Sequence, residues 1–312
     1  MNLLYRETEF RFTLDQQFNM LYLIGSIVFT SWLTIALKLV DRLKISTLQS
    51  IVWNYIFCVI TGSFVSGNYP MNAGVIETGV WKWAVLIGVM FILLFNVIAF
   101  TAQRMGVAAA SVSNKLSLVI PFLFSVFIWG DDVTAWKVSG IVLALIAVFL
   151  TCMPSEGFGS SVDKRKNNFL WVLPLVLFVG SGLLDTLIKY IQQEVINSGD
   201  ANGFLISAFA MAATGGIIIT VFRFFTKAEK WSGKSILAGF FIGVPNYASI
   251  WCLIEVLKQN SDSSSVVIPV NNIGIVLFST LVAMVLFREK LTGLNWLGIA
   301  LAGFAILLIA FG

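Results

Sequence analysis

Residues 129–144 read WGDDVTAWKVSGIVLA, and residues 287–302 read FREKLTGLNWLGIALA. At a constant offset of 158, Asp131 aligns with Glu289, Thr134 with Thr292, Gly140 with Gly298 and Ala144 with Ala302. Asn114 and Asn272 hold the same offset upstream, and Asn96 and Asn246 pair at an offset of 150. An acidic turn, then Thr, then Gly and Ala four apart on one helix face occurs twice. The chain therefore reads as two related halves.

Outward from these segments lie apolar runs. A membrane-spanning helix needs about 20 mostly apolar residues. Ten runs qualify: 20–40, 46–66, 82–102, 107–128, 134–153, 169–190, 203–222, 235–257, 264–287 and 292–311. Charges and turn residues fill the breaks, and Trp81, Trp136, Trp171, Trp231 and Trp296 fall near run ends, as in a headgroup belt. The sequence predicts an all-α integral membrane protein of ten transmembrane helices. Five runs per half is an odd number, so the second half must enter from the opposite side. That gives two inverted five-helix repeats, a device of secondary transporters.

The expected organisation is an N-terminal tail (1–19), a first repeat (20–153), a basic linker (154–168) and a second repeat (169–312). The tail carries Arg6, Glu7, Glu9, Arg11 and Asp15 and no apolar run. It reads as an interfacial segment, or as residues ahead of a translation start at Met20.

Composition excludes several classes. The 312 residues are 58% hydrophobic and 12% charged, against about 45–50% and 25% in soluble domains. A soluble enzyme, a disordered chain and a disulfide-rich module are all ruled out. The sequence has no His, which removes imidazole bases, Ser-His-Asp triads and His-ligated metals. Cys58, Cys152 and Cys252 lie far apart in apolar runs, without metal-ligand spacing. No catalytic residue, metal site or cofactor is expected, and the chain reads as no enzyme. No basic aromatic stretch suggests nucleic acid.

Ionisable and amide groups at membrane depth are costly, so each is a candidate site. Lys115 lies about nine residues into the fourth run. It either holds an anionic substrate group in a cavity or clamps helix ends. Beside it is Asn114, and Asn272 with Asn271 is the repeat counterpart. Asn96 and Asn246 lie mid-run in the third and eighth. These amides read as substrate-binding groups, or as hydrogen bonds between helices. Asp185 and Lys189 share a helix face at i, i+4, as a coupling-proton site or an interfacial ion pair. Lys38, near the end of the first run, is expected to snorkel, Asn54 to contact a neighbouring helix. Pro121, Pro174, Pro245 and Pro269 are expected to kink their runs. Gly140-x-x-x-Ala144 and Gly298-x-x-x-Ala302 are small-residue faces for close packing, so the fifth and tenth spans read as structural.

The turn of residues 287–292, followed by Gly298 to Gly303, resembles the signature closing an EamA-type repeat of the drug/metabolite transporter superfamily. The first half is similar, with Asp131 and Asp132 where Glu is usual. The resemblance implies a ten-helix carrier of small metabolites, with a central cavity lined by helices 1, 3, 4, 6, 8 and 9.

Orientation follows from charge. Of 20 Lys and Arg, the loops after even-numbered runs and the N-terminal tail hold only Arg6, Arg11, Lys82, Lys137, Lys189 and Lys258. The other side carries Lys164–Lys166 and the cluster from Arg223 to Lys234. The positive-inside rule then puts both termini outside; the resemblance implies both inside. The expected function is a secondary transporter that exports a small, amino-acid-like or other organic compound across the cytoplasmic membrane by alternating access, with Asp185 as a candidate carrier of a coupling proton. The alternative is a non-transporting membrane receptor or scaffold. Expected partners are the lipid bilayer, a small-molecule substrate and a coupling proton.

Overall fold

The computed structural model describes residues 2–129, 134–153, 170–196, 201–226, 230–259 and 264–311. Among these the chain is helical, with no strand. The helices are α1 (Asn2–Arg42), α2 (Thr47–Ser66), α3 (Ala73–Glu77), α4 (Trp81–Met105), α5 (Val107–Leu116) and α6 (Val119–Trp129). They continue with α7 (Ala135–Thr151), α8 (Val172–Tyr190), α9 (Ala201–Phe225), α10 (Lys234–Gln259), α11 (Ser264–Phe287) and α12 (Gly293–Phe311). The linker 154–168 and the acidic turn at Asp131 and Asp132 lie outside the described residues.

Nine helical segments among the described residues are long and apolar enough to cross a membrane, with α5 and the start of α6 together as one. Ten were expected. The run 134–153 forms α7, whose Ala135–Thr151 is shorter than the rest. Many large apolar side chains, among them Phe64, Phe127, Phe222 and Val285, are exposed, and so are Trp81, Trp136, Trp231 and Trp296 at helix ends. Backbone groups satisfied within helices and apolar side chains facing outward suit a lipid solvent. The chain is a multi-pass membrane protein.

The prolines divide into two kinds. Pro245 and Pro269 lie inside α10 and α11, which run through them. Pro121 and Pro174 instead occupy the third positions of α6 and α8, where a missing N–H costs no helical bond. Pro121 explains why the fourth run is not one helix. It has no N–H to give the carbonyl of Ser117, four residues back. That carbonyl instead takes the N–H of Ile120 at 2.9 Å in a tighter turn, and the helix breaks at Ser117–Leu118.

Helix partners cross between the halves. α1 packs on α10 and α11, α4 on α8 and α9, α2 on α9 and α10, α5 on α8 and α11, and α7 on α12. One buried cluster centres on Tyr55, stacked against Phe91 and packed on Phe209. Another fills the space around α5, α7 and α12. The α7–α12 seam is close because it is lined by small residues. A Cβ on Gly298 would sit 2.6 Å from the Thr151 amide nitrogen, and one on Gly140 would sit 3.1 Å from that of Ile309. The seam is also pinned by Asn295. Its amide donates to the carbonyls of Leu150, Thr151 and Met153 at 3.0–3.1 Å, filling acceptors that a helix C-terminus leaves open. Its Oδ1 accepts the Thr292 N–H at 2.9 Å while Thr292 Oγ1 accepts the Asn295 N–H at 3.2 Å, a reciprocal cap. Thr134 caps α7 through the Lys137 N–H at the same 3.2 Å.

Candidate functional site

The break in the fourth run places charge inside the bundle. Lys115 lies in the last turn of α5, just ahead of Ser117–Leu118. The residue lies at the carbonyl end of a half-helix, where the dipole favours a cation. Across from the break, α8 presents Gly182. A Cβ there would lie 2.8 Å from the Ser117 carbonyl oxygen and 2.6 Å from Ile120 Cβ, so only glycine lets the helices meet so closely. One turn further along α8 is Asp185. Lys115 and Asp185 are within electrostatic range, yet they form no direct ion pair, and Lys115 makes no hydrogen bond among the described residues. Lys115 is half-buried. Asp185 is exposed.

By run length and by its candidate membrane span, Val172–Tyr190, Asp185 lies toward the end of the span. The helix does not stop there: a π-helical turn, Ile191–Ile196, extends it. Asp185 is thus central in the continuous helix 172–196. The charged neighbour it meets is Lys115 on another helix. Lys189, one turn on, is half-buried and engaged with a partner.

The candidate amides separate. Asn114 is half-buried beside Lys115, and its carbonyl accepts the Ser117 hydroxyl at 2.5 Å. Asn96 donates to the Ile92 carbonyl one turn back at 2.7 Å. Asn246 is buried and donates to Asn54 Oδ1 at 3.1 Å, joining α10 to α2. Asn271 is buried on α11 with Oδ1 unpartnered, and Asn272 is half-buried. Thus Asn114 stands with Lys115, Asn246 serves a helix contact, and Asn271 keeps an open acceptor.

A second charged cluster closes one end of the bundle. Lys38 does not snorkel. Its Nζ meets Glu289 Oε1 at 2.5 Å, with both side chains less than a tenth exposed. The same oxygen accepts the Val107 N–H, the first amide of α5, at 3.1 Å. Arg42 donates to the Phe287 carbonyl at 2.8 Å and lies 4.7 Å from the centre of its ring. The Gln103 amide donates to the Leu37 carbonyl at 2.9 Å. The ends of α1, α4 and α11 and the start of α5 are tied at this face. Sequence reading treated Glu289 as a turn marker.

Two cavities stand out. One, of about 180 Å³, is lined by Ser66, Asn202, Tyr247, Trp251, Glu255 and Lys258, where α2 and α10 end and α9 begins. Lys258 pairs there with Glu255 at 2.9 Å. The other, about 320 Å³, is an apolar groove between α11 and α12. Neither touches Lys115 or Asp185, so the charged pair is the candidate site on its chemistry, not on cavity size.

No family model matches the chain. A protein of Haemophilus influenzae (strain ATCC 51907 / DSM 11121 / KW20 / Rd), described as uncharacterized, is 26% identical over 284 residues, covering 89% of this chain and 93% of its own. A solved crystal structure is similar at a TM-score of 0.58 and 14% identity, with 93% of this chain and 95% of that one covered. At that identity the likeness is one of fold.

Proposed function

We propose that the chain is a secondary transporter that moves a small organic metabolite across the cytoplasmic membrane by alternating access. The observation that carries this is the Lys115–Asp185 arrangement. Two opposite charges at membrane depth, close but not joined, sit beside a helix break. A purely structural pair would gain by closing into direct contact. A pair that must take and release a polar substrate needs room between its members. Broken helices at the midplane are a recurrent site for such binding. Asn114 is the adjacent amide, and Asn271 and Asn272 on α11 complete the proposed lining. Asp185 is the group to carry a coupling proton.

The ten-span, inverted-repeat architecture belongs to the same proposal. It is supported by the crossed helix partners, in which α4 meets α8 and α9 as α10 meets α1 and α2. The identical caps at Thr134 and Thr292 also support it. With α7 as a span, the described basic residues Arg42, Arg104, Arg223, Lys230 and Lys234 fall at or near helix ends on the face sealed by Lys38 and Glu289. The positive-inside rule makes that face cytoplasmic. A carrier resembling the EamA-type transporters is the reading that joins these features.

The test is comparative metabolite profiling of medium and cells with the chain over-expressed, absent, or carrying Lys115→Met. A compound whose distribution follows the unaltered chain and not the variant identifies the substrate. Identical profiles in all three, with the protein verified in the membrane, reject transport.

A further inference from the structure

We propose that Lys38 and Glu289 are the latch of a gate whose moving part is α5, so that one contact controls both the seal at this face and the position of Lys115. The proposal rests on the transport reading for its purpose, but its geometry stands apart from any substrate.

Helix α5 is a short segment between two breaks in regular helix. At its start, Gly106 has φ 104°, a conformation that L side chains rarely adopt. At its end the helix breaks at Ser117–Leu118, where the Ser117 carbonyl turns to the Ile120 N–H. Between them α5 is a lever of ten residues. Glu289 holds one tip, through the Val107 N–H. The other tip carries Lys115. The carboxylate that holds the lever is the one that grips α1 through Lys38. A Cβ on Gly106 would lie 3.0 Å from Glu289 Oε2, so the glycine also admits the carboxylate to its seat. Arg42 joins α1 to Phe287 separately, which keeps the two strands of the seal together when α5 is released. Loss of the Lys38–Glu289 contact frees the start of α5, together with the carboxylate that holds it, from α1, opening a path along α1 and shifting Lys115 at the other tip.

The experiment uses the full chain in membranes, with Cys58, Cys152 and Cys252 replaced by Ala. A reporter cysteine is placed at the buried Ala108 of α5, and a control cysteine at the buried Ala302 of the α7–α12 seam. The probe is a membrane-impermeant maleimide, applied separately to intact cells and to inverted vesicles. With the latch intact, both reporters label slowly. Glu289→Gln keeps an oxygen for the Val107 N–H but removes the charge, and Lys38→Met removes the other partner. Each is expected to speed labelling at position 108 about tenfold, from the face where α1 ends, with position 302 unchanged. Unaltered labelling at 108 in both variants overturns the latch. So does faster labelling from the opposite face, or equal acceleration at 302, which would mark general loosening. None of these readouts requires flux, so the latch can fail while transport stands, and the reverse.

Discussion

The molecule holds two Lys–carboxylate pairs, and they are built in opposite ways. Lys38 and Glu289 touch, are nearly sealed from solvent, and share their carboxylate with a helix N-terminus. Lys115 and Asp185 sense each other's charge without contact, and Asp185 is exposed. In a low-dielectric interior a contact pair with its remaining groups satisfied is structural, whereas removing one member is strongly destabilising. A separated pair stores no such bond. The same two residue types thus hold the protein together in one place and stand open for a ligand in the other.

The two pairs should respond differently to the same substitution. Lys115→Met is expected to lower substrate flux by about 100-fold, while thermal unfolding in detergent shows the protein as stable as before. Lys38→Met should do the reverse in the unfolding measurement, costing about 3 kcal/mol. Equal stability losses in the two variants would erase the distinction. The α7–α12 seam, which carries no charge, provides a reference. Gly298→Val forces side-chain atoms against Thr151 and should cost about 1–3 kcal/mol in the same assay, with flux per folded molecule retained. Asn246→Ala should have the smallest effect, about 0.6 kcal/mol, because its bond to Asn54 is one contact between helices. A large loss of flux in that variant would move Asn246 into the binding site.

Much of the fold is legible in the sequence because the signals are local. Apolar runs of helix length, Thr134 and Thr292 as caps, and glycines spaced for a seam are all read within a few residues of one another. Pro121 is local too, and the broken fourth run follows from counting four residues back to Ser117. The site is only half legible. Lys115 is visible as a charge in an apolar run, but its partner is not: Asp185 lies on another helix, and its spacing alone points to Lys189. The latch is hidden for another reason. Lys38 and Glu289 are 251 residues apart, and each alone looks like an ordinary charge at a helix end.

Asn295 imposes an order on the making of this protein. The carbonyls of Thr151 and Met153 wait for an amide that lies 142 residues beyond the second of them. At a translation rate of about 5–20 residues per second, that interval is on the order of ten seconds. Throughout it α7 is present in the nascent chain with its narrow glycine face uncovered and its final carbonyls unfilled. The seam between α7 and α12 is therefore a late joint. Its closure marks the moment when the first half, already synthesised, acquires its last neighbour.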